Sequence, residues 1–313
     1  MASISVVIPL YNKAPHIAKT LESVLRQNSP PDEIIVVDDG STDGGDQIVE
    51  RLVVGGIKLI RQKNQGVSAA RNAGVQEAKS EYVALLDADD YWYPNHLAVM
   101  RSLITEYPQA ALLSTAYIVE RGGAFYRPRS AYPEGWHGLA DFFSAYSVGD
   151  SLISSTTACA KRANLLEIGG FPVGVHRCED FICWIRLALK YPVAHAEKVT
   201  AVYFQDAVNR STHRRDPNPA EFFVFLMELW RGNELTPEQI KGSKRLFDRL
   251  AFFTGADLRM QGDKEGLRAI QSLAFQARRH TTGLMLLALD AIPLFMLFML
   301  RWARRLRHPQ VSS

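Results

Sequence analysis

Within the first ninety residues, four short runs are apolar throughout instead of alternating, and helical stretches separate them. They are Ile4-Ser5-Val6-Val7-Ile8, Glu33-Ile34-Ile35-Val36-Val37, Lys58-Leu59-Ile60 and Tyr82-Val83-Ala84-Leu85-Leu86. A strand with apolar side chains on both faces needs both faces covered, the situation of a parallel sheet between layers of helices. Ile17, Leu21, Val24 and Leu25 recur at helical spacing after the first run; Ile48, Val49 and Leu52 follow the second. The Ala-rich stretch from Gly66 to Lys79 supplies a third helix. The pattern predicts an α/β fold with a mostly parallel central sheet. Ligands of such sheets bind beyond the carboxyl ends of the strands, so the polar residues there deserve first scrutiny.

Those ends carry Tyr11-Asn12, Asp38-Asp39 and Asp87-Ala88-Asp89-Asp90. One carboxylate after a strand is ordinarily a turn former or a helix cap. Several converging on one sheet edge repel each other, and a hard divalent cation is the usual remedy. Asp-Ala-Asp in a short turn can aim oxygens at such an ion, which would stabilise a leaving diphosphate. The usual phosphate cradles are missing: there is no G-x-x-x-x-G-K-[ST] and no G-x-G-x-x-G after the first strand. Asp39-Gly40-Ser41-Thr42-Asp43-Gly44-Gly45 is glycine-rich but acidic, so it would repel a pyrophosphate. No H-E-x-x-H occurs and the eight histidines do not cluster at ligand spacings, which argues against catalytic zinc.

Ser5-Val6-Val7-Ile8-Pro9-Leu10-Tyr11-Asn12, Ile35 to Asp43, Asn64-x-Gly66-x-x-x-x-Arg71-Asn72-x-Gly74 and Leu86 to Asp90 together resemble family-2 glycosyltransferases in order and spacing. Gly169-Gly170-Phe171, Glu179-Asp180 and Arg186 extend the resemblance to about residue 190, and residues 215 to 313 fall outside it. The resemblance implies a GT-A nucleotide-diphospho-sugar-binding fold and inverting transfer from a nucleotide sugar, most often UDP-linked, to a hydroxyl of a glycan or lipid-linked acceptor. It implies that Pro9, Tyr11 and Asn12 line the nucleoside pocket and that Asp39 accepts a hydrogen bond from the base. Arg71 is then expected near the diphosphate, Asp87 near the ribose, and Asp89 on a bridging Mn²⁺ or Mg²⁺. Asp180 matches the general base.

Inversion is one in-line displacement, so it needs a base on the acceptor side and charge stabilisation on the leaving side. A well-placed carboxylate base contributes roughly 10²–10⁴-fold. Glu179-Asp180 could equally cap a helix from Phe181 to Leu189, and Lys13 could be a solvated or sheet-edge charge. Asn209-Arg210-Ser211-Thr212-His213 sits where relatives carry a mobile basic segment, or is an ordinary polar loop; it is assigned no site. Two other functions compete. A non-catalytic sugar-nucleotide-binding or scaffold protein is disfavoured by the joint retention of Asp39, Asp89 and Asp180. A nucleotidyltransferase is disfavoured because Pro9-Leu10-Tyr11-Asn12 is no basic glycine-rich loop.

Hydrophobic residues make up 47% of the 313, enough to offset the entropy of ordering and to exclude a disordered chain. The net charge of +3 is too small to argue for nucleic acid. Three cysteines cannot all pair and read as reduced thiols; with no basic n-region in Met1 to Leu10, a cytoplasmic protein is expected. The expected organisation is a GT-A domain over 1–215, a helical extension over 216–281 after the linker Arg214 to Pro219, and a tail over 282–313. Leu284 to Leu300 is apolar all round, interrupted by Asp290 and Pro293. As one helix it would reach roughly 25 Å, the short limit for a bilayer core. Asp290 at its middle would cost roughly 2.5–3.5 kcal/mol there. Arg278-Arg279 precede it, and Arg301, Arg304, Arg305 and Arg307 follow. A single span would send the richer cluster outward, against the positive-inside rule. The expectation is therefore attachment to the cytoplasmic face of the membrane, helped by homo-oligomerisation, with a core or oligomer-interface helix as the alternative.

Overall fold

The computed structural model describes residues 2–52, 56–149, 152–208, 220–232, 235–293 and 296. The segment Asn209 to His213, the linker to Pro219 and the arginines from Arg301 onward lie outside them. The chain divides into two compact units, one of residues up to 214 without 146–148, the other of 146–148 with 215–309.

The first unit opens with β1 (Ile4–Leu10), α1 (Ala14–Leu25), β2 (Glu33–Asp38), α2 (Gly45–Leu52), β3 (Ile57–Arg61), α3 (Val67–Glu77) and β4 (Tyr82–Leu85). It continues through β5 (Tyr91–Trp92), α4 (His96–Glu106), β6 (Leu112–Arg121), β7 (Ala124–Tyr126), β8 (His137–Ala140) and α5 (Phe142–Val148). Last come β9 (Ala158–Lys161), α6 (Arg162–Glu167), α7 (Glu179–Lys190) and β10 (Val193–Phe204). The sheet runs β3-β2-β1-β4-β9-β6-β10-β5, with β7 on β6 and β8 on β10. β1 to β4 pair in parallel, as the apolar runs predict, and every residue of β1 and β4 is buried. β9 is antiparallel to both β4 and β6. Val199 to Phe204 form the second half of β10, which pairs in parallel with β6 through an irregular register and antiparallel with β5 and β8.

The order 3-2-1-4 places the topological switch between β1 and β4. Pro9 opens it. The Val7 carbonyl accepts from Leu86 N on the β4 side, and the Leu10 carbonyl accepts from Asp39 N on the β2 side. By strand alternation Pro9 faces β4, where its missing N–H ends the pairing, and the last β1–β4 partners are Val7 and Leu85. The two strands part there, and a crevice opens at their carboxyl ends.

In the second unit, α8 (Glu221–Arg231), α9 (Pro237–Gln261), α10 (Lys264–Gln276) and α11 (His280–Ala291) account for the helical signal after residue 220. Thr236 and Gln239 form a capping box at the start of α9, and Gly262 ends it in a left-handed conformation. A Cβ on Gly255 would stand 2.4 Å from Leu286 Cδ2, so that glycine lets α11 lie directly on α9. The single apolar helix expected over Leu284 to Leu300 is not what forms: α11 stops at Ala291. Ile292 is extended at φ −75° and ψ 127°, as the residue before Pro293 prefers. Nor is α11 buried all round: Leu286 and Leu289 are buried, whereas Leu284, Met285 and Leu287 are 61%, 48% and 47% exposed. No helix among the described residues is long and apolar enough to cross a membrane.

Gly74 shows how tightly the site-bearing helix sits. A Cβ there would fall 2.3 Å from Val7 Cγ1 in the middle of β1. Alanine for glycine inside a helix is normally favourable, but overpacking of a rigid core costs roughly 1–3 kcal/mol. Gly74→Ala is expected to lower stability in urea by about that much, and to cost less in a Val7→Ala background. Equal costs in the two backgrounds would deny the contact.

Candidate active site

The loops at the crevice are stitched together before any ligand is considered. Asn12 leaves β1 at φ +52°, a left-handed conformation that asparagine tolerates better than most residues. Its N–H donates to Ser41 Oγ at 3.0 Å and its side-chain carbonyl accepts from Thr42 N at 2.7 Å. Asp38 accepts from Ser41 N at 3.1 Å. Asp43 accepts from Ala14 N at 2.8 Å and Gly45 N at 3.0 Å, anchoring the starts of α1 and α2. Asp39, 2% exposed, takes Gln62 Nε2 and Gln65 N on one oxygen at 2.7 and 2.9 Å, and Gly66 N on the other at 2.8 Å. The turn-and-cap roles of these aspartates are thus realised. A carboxylate offers about four acceptor positions, so Asp39 keeps about one.

The turn after β4 carries three aspartates with three different partners. Asp87 accepts from Arg71 Nη2 at 2.9 Å. Asp89, 7% exposed, accepts from Lys13 Nζ at 2.6 Å. Asp90, 1% exposed, accepts from Phe204 N at 3.0 Å and from the Thr156 hydroxyl, which pins the turn to the end of β10 and to the short turn Ser155–Thr157. Lys13 is therefore no solvated charge: its side chain is 12% exposed and also donates to the Val208 carbonyl at 2.7 Å.

Arg71 joins the two sides of the site. Its side chain is 4% exposed, with Nη2 on Asp87 and Nη1 on Glu179 Oε1 at 3.0 Å. The guanidinium lies 5.4 Å from the centre of the Phe171 ring. Burial works against its charge, but Asp87, Glu179 and Asp180 outweigh that and hold it protonated more firmly than usual. The next residue, Asn72, grips the backbone of Phe171 from both ends, accepting from its N–H and donating to its carbonyl, each at 2.8 Å. A Cβ on Gly170, at φ +67°, would meet Asn72 Oδ1 at 2.4 Å. The Arg71-Asn72 and Gly169-Gly170-Phe171 motifs are one contact, written in two places.

Glu179 and Asp180 open α7. The helix begins two residues before the expected Phe181, and the cap position belongs to Cys178, at φ +60° and without a side-chain cap bond. Both carboxylates lie in the first turn, where the helix dipole favours negative charge. Asp180 Oδ2 accepts from Ser155 Oγ at 2.9 Å, and Oδ1 from Phe181 N at 2.7 Å. The Glu179 carboxyl is pushed up to about 7 by burial and by the charge of Asp180, against the pull of Arg71.

Arg71, Asp87 and Asp180 of the expected residues thus come together, joined by Glu179. Lys13, just before α1, and Asp89, on the turn after β4, form a second pair. Asp39 and Asn12 serve the loops of β1, β2 and α3, with Tyr11 half-buried and Pro9 at the strand parting. The sequence alone offers Glu179 only a capping role, and offers none to Asp90 or Ser155. The acidic pair at a helix start was the visible signal for the first; Ser155 carried none. Asp180 is half-buried, and Asp87 and Asp89 carry hard oxygens on the turn after β4. Among the described residues no group of three or more His, Cys, Asp or Glu could hold a metal, so the protein alone would supply only part of a coordination shell.

The solved chain of S. aureus TarS 1–349 in complex with UDP-GlcNAc superposes with a TM-score of 0.74 at 21% identity, covering 88% of this chain and 81% of that one. The mannosyltransferase PcManGT from Pyrobaculum calidifontis, in complex with GDP-Man and Mn²⁺, superposes at 0.60 with 21% identity, covering 93% and 86%. These likenesses carry the fold. In sequence, the chain is 33% identical over 218 residues to the uncharacterized glycosyltransferase YwdF of Bacillus subtilis, 65% of this chain and 75% of that protein. It is 33% identical to the glycosyltransferase GlyG of Streptococcus pneumoniae, of which it spans only 42%. The profile of Glycosyl transferase family 2 matches residues 5–161, and with the relatives above it establishes that the chain belongs to that family.

Proposed function

We propose that the chain transfers a sugar, with inversion, from a nucleotide-diphospho-sugar, probed first as a UDP-sugar, to a hydroxyl of a glycan or lipid-linked acceptor. The observation that carries this is the Arg71 bridge. One buried cation holds Asp87 at the crevice end of β4 and Glu179 beside Asp180 at the start of α7. A displacement needs a leaving side and an attacking side fixed relative to each other, and positioning of that kind is a large share of catalysis. The TarS structures are complexes with UDP-GlcNAc and with UDP, and that of PcManGT with GDP-Man, which supports a nucleotide-sugar donor.

In this reading Pro9, Tyr11 and Asn12 line the nucleoside pocket, and Asp39 uses its remaining acceptor position for the base. Asp87 faces the ribose. Asp180 accepts the proton of the attacking hydroxyl, while Ser155 orients its second oxygen. Glu179 holds its own proton near neutrality, so Asp180 acts beside a neighbour that is not fully charged. Arg71 keeps positive charge on the leaving side throughout. The oxygens of Asp87 and Asp89 suit Mn²⁺ or Mg²⁺, which commonly take one or two carboxylates and complete their shell with substrate phosphates. A cation at Asp89 would offset the charge that builds on the diphosphate. The PcManGT complex carries Mn²⁺, which supports that ion as the first to try.

Attachment to the cytoplasmic membrane face through the apolar and basic tail belongs to the same proposal, and it suits a lipid-linked acceptor. The fold fixes where to cut: Leu286 and Leu289 pack α11 into its bundle, so a truncation must fall after Pro293. Removing residues 294–313 is expected to abolish sedimentation with vesicles containing anionic phosphatidylglycerol while leaving donor hydrolysis intact. Unchanged sedimentation would remove the tail from the proposal.

Asp180→Asn keeps the partner of Ser155 but loses the basic charge. It is expected to lower turnover by roughly 10²–10⁴-fold with nucleotide affinity near wild type, since only the transition state uses that charge. A wild-type rate would leave Asp180 a structural residue.

UDP with Mn²⁺ at 100 times its dissociation constant should stabilise the protein by about 2.7 kcal/mol, read as a rise in melting temperature. Excess chelator, or Asp89→Ala, should erase that rise. A full shift in chelator would exclude a cation at Asp89.

A further inference from the structure

Lys13 lies outside the reaction as described, yet it occupies the oxygen that the cation would need. Its Nζ stands 2.6 Å from Asp89 Oδ2 and 2.7 Å from the Val208 carbonyl, in a setting where the two side chains are only 12% and 7% exposed. We propose that Lys13 is a displaceable counter-ion: it holds Asp89 until metal and donor arrive together, then transfers its charge to the donor's diphosphate. The inference rests on the reading of Asp89 as a cation ligand.

The argument is one of charge. Asp87 is already engaged by Arg71, and Asp90 by Thr156 and Phe204, so Lys13 is the charged partner of Asp89 among the described residues. A buried carboxylate left alone is costly, and the ammonium removes that cost before ligand binds. An ammonium is a compact point charge on a flexible stem, which can leave one oxygen for another without moving the backbone; a forked guanidinium is less suited to that exchange. The backbone beside it is held, because Ala14 N is tied to Asp43. A divalent ion arriving alone must expel the ammonium into its own repulsive field. With a diphosphate present, the ammonium has a new anionic partner, and the metal and the lysine bind the same ligand. Lys13 then opposes the free metal and favours the metal–nucleotide complex.

Those opposite signs separate this role from a structural one. The test uses the full chain, with Mn²⁺ binding followed by the loss of the free-ion paramagnetic resonance signal and UDP binding followed by calorimetry in saturating Mn²⁺. Since a charge-assisted hydrogen bond changes affinity by about tenfold or more, Lys13→Met should bind Mn²⁺ alone about tenfold tighter and UDP about tenfold more weakly than wild type. Lys13→Gln, which keeps a donor for Val208 without the charge, should move both affinities in the same directions. If both affinities fall together, or neither moves while the wild type binds Mn²⁺, the counter-ion role is overturned. If neither the wild type nor Lys13→Met takes up Mn²⁺ even with UDP bound, the cation reading of Asp89 is what fails, and the lysine pair is permanent.

Discussion

A guanidinium removed from water must find its counter-charges inside the protein, and Arg71 meets that demand with Asp87 and Glu179 from opposite sides. It cannot discharge the strain by losing a proton. The consequence is geometric: wherever α3 carries Arg71, the turn after β4 and the first turn of α7 must follow. Gly74 sets α3 against β1 without the width of a side chain, and Asn72 fastens the glycine turn that leads into α7. Three neighbouring positions on one helix therefore define where the carboxylates of Asp87 and Glu179 stand.

The acidic loops illustrate a second economy. Asp38, Asp39 and Asp43 all receive backbone N–H groups, so the edge of the sheet is assembled by aspartate side chains acting as acceptors. The surplus of negative charge at the crevice is thus partly absorbed by the fold, and what remains is concentrated on the turn after β4 and the start of α7. Glu179, packed against Asp180, relieves that concentration by retaining its proton to higher pH than a free glutamate.

Local features were legible from the chain alone. Apolar runs at the right spacing foretold β1 to β4, and the polar residues at their ends marked the crevice. Pairings between distant positions were not legible. Arg71 and Glu179 lie 108 positions apart, and residue types reveal that a charge needs a partner without revealing which one. Lys13 left two readings open for that reason, and Asp90 sat unremarked in a motif although it staples two segments. The tail differs again: Asp290 and Pro293 interrupt its apolar run, and the steric limit that proline places on the residue before it ends the helix at Ala291.

The grip of Asn72 on Phe171 bears on how such a chain can diversify. Asn72 addresses main-chain atoms, which every amino acid possesses, while Gly170 answers to Asn72 alone. Descendants could exchange side chains of the segment between β6 and α7 without disturbing its contact with α3. What a grafted segment must bring is short: a glycine followed by an available N–H and carbonyl, and the hydroxyl that Thr156 gives to Asp90. The joint behaves as a standard fitting, on which inheritance can mount different segments.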